Sequence, residues 1–247
     1  MTPDLALLLG GAVVAGFVQG LSGFAFSMVA MSIWVWGLDP KLAAVMAVFG
    51  SFTGQLVAAF SVRRGFDARA LVPYLAGAAV GVPLGVWALP HIDPLRFKAA
   101  FGALLVLWCP AMLFSSRLPR VTAGGRWADA AAGTIGGFMG GLGGLTGVVP
   151  TLWCTLRGLA KDAQRSIIQN FNLAALGFTL LGYIASGAVR REMWPRLPLL
   201  AAAVVIPVLA GAHVYVGLSE LAFRRVVLSL LALSGLALLA SSLPRLL

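Results

Sequence analysis

The 247 residues are 60% hydrophobic and only 11% charged, where an average soluble domain carries roughly a quarter charged residues. That little polar surface cannot cover a water-soluble globule, and lipid is the solvent that fits. The net charge of +10 would suggest nucleic acid in a soluble chain, but here the basic residues fall between apolar runs, the place of membrane-flanking anchors. No nucleic-acid partner is expected; the bilayer is.

Eight apolar elements follow in chain order, over roughly 5–36, 41–62, 70–90, 96–115, 127–156, 163–187, 195–217 and 222–243, each near the ~20 residues that span a bilayer or longer. Short polar punctuation separates them: Asp39-Pro40-Lys41, Arg63-Arg64-Gly65, His91 to Pro94, Arg117 to Arg126, Lys161-Asp162, Arg190-Arg191-Glu192 and Ser219-Glu220. The expected fold is an all-α membrane protein forming one transporter-like domain over 1–247. The N-terminus lacks the positive region of a cleaved signal peptide, so the first apolar run is expected to remain in the mature chain. Cys109 and Cys154 sit in apolar runs without any metal-ligand spacing. They read as small buried hydrophobes, and no metal or cofactor is expected.

The first element repeats in the fifth. Gly16-Phe17-Val18-Gln19-Gly20-Leu21-Ser22-Gly23-Phe24 aligns with Gly137-Phe138-Met139-Gly140-Gly141-Leu142-Gly143-Gly144-Leu145 at an offset of 121, with five of nine positions identical. Leu95-Arg96-Phe97-Lys98 is echoed by Leu221-Ala222-Phe223-Arg224. Two pseudo-symmetric halves of four elements result, 1–115 and 127–247, an organisation common among secondary transporters. Elements one and five are each about thirty residues long, ~45 Å as a straight helix against a ~30 Å hydrocarbon core. Glycines and small polar residues interrupt both, near Gly20–Gly23 and Gly140–Gly147. Each is either a tilted, broken span or a re-entrant hairpin. The Lys/Arg distribution does not separate the two; the element lengths favour the hairpin, which would make the repeats inverted.

Backbone freed at such breaks can meet a ligand at membrane depth. Candidate substrate-binding residues are therefore Gln19, Gly20, Ser22 and Gly23 at the first break, with Gly141, Gly143, Gly144 and Thr146 at the second. Close packing of small residues would explain the glycines equally. In element six, Arg165, Gln169 and Asn172 stand at i, i+4 and i+7 on one helical face. A guanidinium suits an oxyanion; an interfacial, snorkelling Arg is the alternative. Gln55 occupies a comparable place in the first half. No acidic residue lies in the middle of an element, so a buried proton relay is not expected. His213 reads as packed or interfacial. No nucleophile–base pair is visible, so catalysis has no machinery.

The paired Gly-Phe-x-x-Gly-Leu-x-Gly motifs, Pro150, and the stretch Arg157 to Leu173 resemble the sulfite exporter TauE/SafE family of bacterial transporters. The first half departs from the family's glycine-rich pattern at Ser22 and Phe24-Ala25-Phe26. The resemblance implies a multi-pass inner-membrane protein that moves a small anionic substrate such as sulfite or an organosulfonate. It leaves the direction and the coupling ion open, and the oligomeric state too, with a homodimer among the options. Two other classes compete with a secondary transporter: an intramembrane enzyme, which would need a catalytic pair, and an accessory membrane subunit, which would not need duplicated broken helices.

Overall fold

The computed structural model describes residues 3–61, 65–115, 119–214 and 220–246. Arg63, Arg64, Arg117 and Ser219 lie outside the described residues, as do the side chains of 220–224. The described residues form ten α-helices: α1 (Pro3–Ser22), α2 (Phe26–Trp34), α3 (Pro40–Ser61), α4 (Ala68–Ala88), α5 (Pro94–Leu113), α6 (Gly125–Gly143), α7 (Val148–Leu156), α8 (Lys161–Ala185), α9 (Arg196–Val214) and α10 (Glu220–Ser242). No strand occurs among the described residues. Seven of these helices are long and apolar enough to cross a membrane: α1, α3, α4, α5, α8, α9 and α10. Helix α6 has comparable length, but Arg126, Asp129 and its glycines make it less apolar.

The polar punctuation is helix-capping chemistry. Asp39 accepts from the amides of Lys41 and Leu42, each at 3.1 Å. Asp67 caps α4 through Arg69 and Ala70, and Asp93 caps α5 through Leu95 and Arg96. Each carboxylate satisfies amides that the first helical turn leaves open. Pro40 and Pro94 open their helices where no amide donor is needed.

Elements one and five are each two helices, and in each the chain reverses. The indole Nε1 of Trp34, at the end of α2, donates to the carbonyls of Leu7 and Leu8 near the start of α1, both at 3.2 Å. Trp153 in α7 likewise reaches Asp129 in the second turn of α6. Gly23 (φ +83°) and Gly144 (φ +75°) make the turns possible, since this region costs an L-residue with a Cβ roughly 1–2 kcal/mol. The break in the second element is narrower than its glycines predict. Gly140 and Gly141 remain helical, because Gly141 is where α6 packs against Gly85 and Val86 of α4.

Helix pairing gives each hairpin its direction. Helix α1 runs parallel to α3, with Gln19 by Ser51 and Gly23 by Gln55. Helix α3 runs antiparallel to α8, with Phe52 by Gly177 and Val57 and Ala58 bordering one cleft with Arg165 and Gln169. Helix α8 runs parallel to α4, with Phe171 by Tyr74 and Gly182 by Val86. Helix α4 runs parallel to α6, with Gly77 by Ala130, Gly81 by Thr134 and Gly85 by Phe138. The α1–α2 and α6–α7 hairpins therefore point in opposite directions. Helix α1 also packs parallel to α9, with Gly16 by Val204 and Gly20 by Val208, and α5 packs antiparallel to α10 around Gly102 and Gly235. Exchanging the first five helices with the last five turns the α1/α9 pair into α6/α4 and returns α3/α8 and α5/α10 to themselves.

The tips converge on the middle of α3 and α8. Residues Ala43 to Val48 of α3 are fully buried. Phe26 packs against Gly50 just beyond them and lies edge-on to Trp34 at 6.1 Å, while Trp108 of α5 lies edge-on to Phe24 and its indole donates to the Val148 carbonyl at 2.8 Å.

Candidate functional site

The turn of the first hairpin is built from its own side chain. Ser22 Oγ donates to the Val18 carbonyl at 2.8 Å and accepts from the Ala25 amide at 3.3 Å. The Gly23 amide continues the helix onto the Gln19 carbonyl, while the Gly23 carbonyl accepts from Gln55 Nε2 at 2.7 Å. Gln55 thus fixes the tip from α3, and both glutamines are buried.

Beside this tip lies a small, partly open cleft of about 30 Å³. Gln19, Gly20 and Gly23 of α1 and Arg165 and Gln169 of α8 border it. Its other walls are apolar: Val57 and Ala58 from α3, and Val208, Leu209 and Ala212 from α9. The backbone of Gly20 lies so close to Val208 that a Cβ there would overlap its carbonyl. The amide of Gln169 lies 3.2 Å from where a Cβ on Gly23 would sit. Arg165, one turn nearer the start of α8, is exposed at the cleft's edge. Among the described residues, no hydrogen bond or ion pair holds its guanidinium.

One turn farther along α8, Asn172 meets the second hairpin. Thr146 Oγ1 donates to Asn172 Oδ1 at 2.8 Å, and both residues are buried. Gly144 packs on Ser27 and lies 3.3 Å, measured from an ideal Cβ, from Val48; Gly143 faces Met31 at 3.4 Å on the same measure. Ser27 in turn shares a 2.6 Å hydrogen bond with Ser51. Tyr183 donates to the Gly141 carbonyl at 2.8 Å.

Of the residues singled out by sequence, Gln19, Gly20, Gly23, Arg165 and Gln169 share the cleft, and Gln55 braces its tip. Thr146 and Asn172 pair with each other beside Gly143 and Gly144, away from that cleft. Ser22 forms the turn and Gly141 packs against α4; neither lines the cleft.

Sequence reasoning missed two features. The first is Ser51, whose carbonyl accepts from Gln19 Nε2 at 3.1 Å and whose hydroxyl meets Ser27. Its i, i+4 spacing to Gln55 on α3, the spacing of Arg165 and Gln169 on α8, was the available signal. The second is Asp129. It stands near the start of α6, as an end-of-element residue should, yet only 7% of it is exposed. Oδ1 accepts from Tyr74 Oη at 3.1 Å, Trp153 Nε1 at 2.7 Å and Arg157 at 2.7 Å; Oδ2 accepts from Arg157 at 2.8 Å. Trp153 and Arg157, at i and i+4 of one helical face, were the sequence trace of this acceptor.

The model of the family described as sulfite exporter TauE/SafE matches residues 8–238. The chain belongs to the sulfite exporter TauE/SafE family. No curated protein and no solved structure matches it. Membership, with seven helices among the described residues long and apolar enough to span, makes this TauE/SafE chain a multi-pass membrane transporter for sulfite or related anions.

Proposed function

We propose that this protein is a secondary transporter of small sulfur-containing or organic anions, sulfite or an organosulfonate, in the bacterial inner membrane. The anion binds in the cleft at the tip of the first hairpin. One observation carries this reading: the cleft gathers a cation, two amide side chains and a helix-breaking glycine from two different helices beside an apolar wall. Arg165 attracts and orients the anion with paired donors. Gln169 supplies neutral donors deeper in, where a second cation would hold the anion too tightly to release it.

The opposed hairpins support an inverted repeat, 1–115 against 127–247, with α2 and α7 as re-entrant arms. In this reading Thr146, Asn172, Gly143 and Gly144 form the matching half of the path, closed in this state by Ser27, Met31 and Val48. Ser22 and Gly141 serve the path indirectly, by shaping a tip and by seating α6. The apolar wall and the absence of any nucleophile–base pair among the described residues around the cleft favour transport over catalysis.

The test is uptake into proteoliposomes of purified protein with sulfite, sulfate, thiosulfate, taurine, sulfoacetate and acetate. Saturable flux of sulfite or a sulfonate, several-fold above protein-free vesicles, is the expected result. Flux no greater than in protein-free vesicles for every anion would overturn the proposal.

A further inference from the structure

The amide of Gln19 is held at one end only. Its Nε2 donates to the Ser51 carbonyl at 3.1 Å, which fixes which end of the amide is left over. That end is Oε1, buried and without a hydrogen-bond partner. The residue is 3% exposed and borders the cleft between Gly20 and Gln169. Gly54 makes room for this amide: a Cβ there would overlap Oε1. A buried acceptor with no donor is costly, and such groups are rare enough that each calls for an explanation.

A fully deprotonated anion cannot satisfy this atom. A sulfonate or sulfite-dianion oxygen is itself an acceptor and would be repelled by the carbonyl oxygen. A hydrogen-bond donor carried by the ligand would answer it. We infer that Gln19 Oε1 is a specificity-determining acceptor, and that the preferred substrate is a small anion carrying an N–H or O–H donor a short distance from its charged head. Arg165 then takes the head at the mouth, and Gln19 takes the donor at the floor. The apolar residues Val57 and Val208 enclose the carbons between. This inference rests on the cleft being the anion site and deepens that reading.

The experiment compares two probes of equal charge and nearly equal size, ethanesulfonate and 2-hydroxyethanesulfonate. Binding of each to the purified full-length protein is measured by calorimetry, and each is used to compete against anion uptake in proteoliposomes. A buried acceptor that gains a donor should favour the hydroxylated probe about tenfold or more. Gln19→Met keeps the length and removes the acceptor. It should shrink the preference for the hydroxylated probe below about threefold, whatever it does to the affinity for ethanesulfonate. Equal binding of the two probes to the native protein overturns the inference without touching the anion site. A preference that survives in folded Gln19→Met also overturns it. Binding of neither probe overturns the anion-site reading and this inference with it. The native comparison decides the matter even if Gln19→Met fails to fold.

Discussion

The two hairpins solve one folding problem with different chemistry. Both place a glycine of positive φ at the tip and fold a nine-residue arm back along a longer helix. At the base of the first, a neutral indole meets the carbonyls of Leu7 and Leu8. At the base of the second, an indole, a phenol and a guanidinium converge on Asp129. Leu8 and Asp129 are separated by 121, the offset of the glycine motifs, so under the proposed repeat they are matching positions, one apolar and one charged. The tips differ as well. Gly23 borders a cleft, whereas Gly144 is packed against Ser27 and Val48. The first hairpin is thus lightly latched with a cleft beside its tip; the second is ionically latched with its tip packed.

The largest test of this difference is Asp129→Ala. Removing one partner of a largely buried ion pair strands the other, which typically costs about 3–5 kcal/mol. Thermal unfolding in detergent should show a large drop for Asp129→Ala. Combining it with Arg157→Ala should cost clearly less than the sum of the two singles, because both break one interaction. A loss below about 1 kcal/mol would mean that the latch is an exposed pair of little value.

A smaller effect separates the tips. Gly144→Ala and Gly23→Ala both incur the roughly 1–2 kcal/mol of a left-handed residue with a Cβ, but only Gly144→Ala also meets Ser27 and Val48. Gly144→Ala should therefore be the less stable protein. Gly23→Ala, whose Cβ meets only the Gln169 amide, should lose more transport relative to its stability. Equal stability losses would erase the distinction between a closed and an open tip.

The smallest effect concerns the two indoles. Trp34→Phe gives up a hydrogen bond to neutral carbonyls, about 1 kcal/mol, whereas Trp153→Phe gives up one to a carboxylate, about 1.5–3 kcal/mol. Paired melts of the two variants measure the difference. The reverse order would show that α2 depends on its latch more than α7 does.

The parts visible in the sequence were those written in local pattern. Apolar run lengths marked the spans, and short polar punctuation marked where they end. Glycines repeated at one offset marked the two breaks. The i, i+4 pair Arg165 and Gln169 was legible because helical periodicity alone puts both on one face, and the cleft lies on that face. What sequence hid depends on which helix meets which. Gly141 looks like a helix breaker until α4 is seen against it. Ser22 looks like a ligand residue until its hydroxyl is seen closing its own turn. Asp129 looks like a solvated end because its partners, Tyr74, Trp153 and Arg157, come from two other helices.

The measurement that tests the central claim most directly is anion affinity in Arg165→Lys. The substitution keeps the charge and removes the paired donors of the guanidinium. An anion held in the cleft should bind about tenfold or more weaker, with the melting temperature nearly unchanged, since the side chain is exposed at the cleft's edge. Unchanged affinity and uptake in the folded variant would make Arg165 a membrane-surface anchor and place the anion elsewhere.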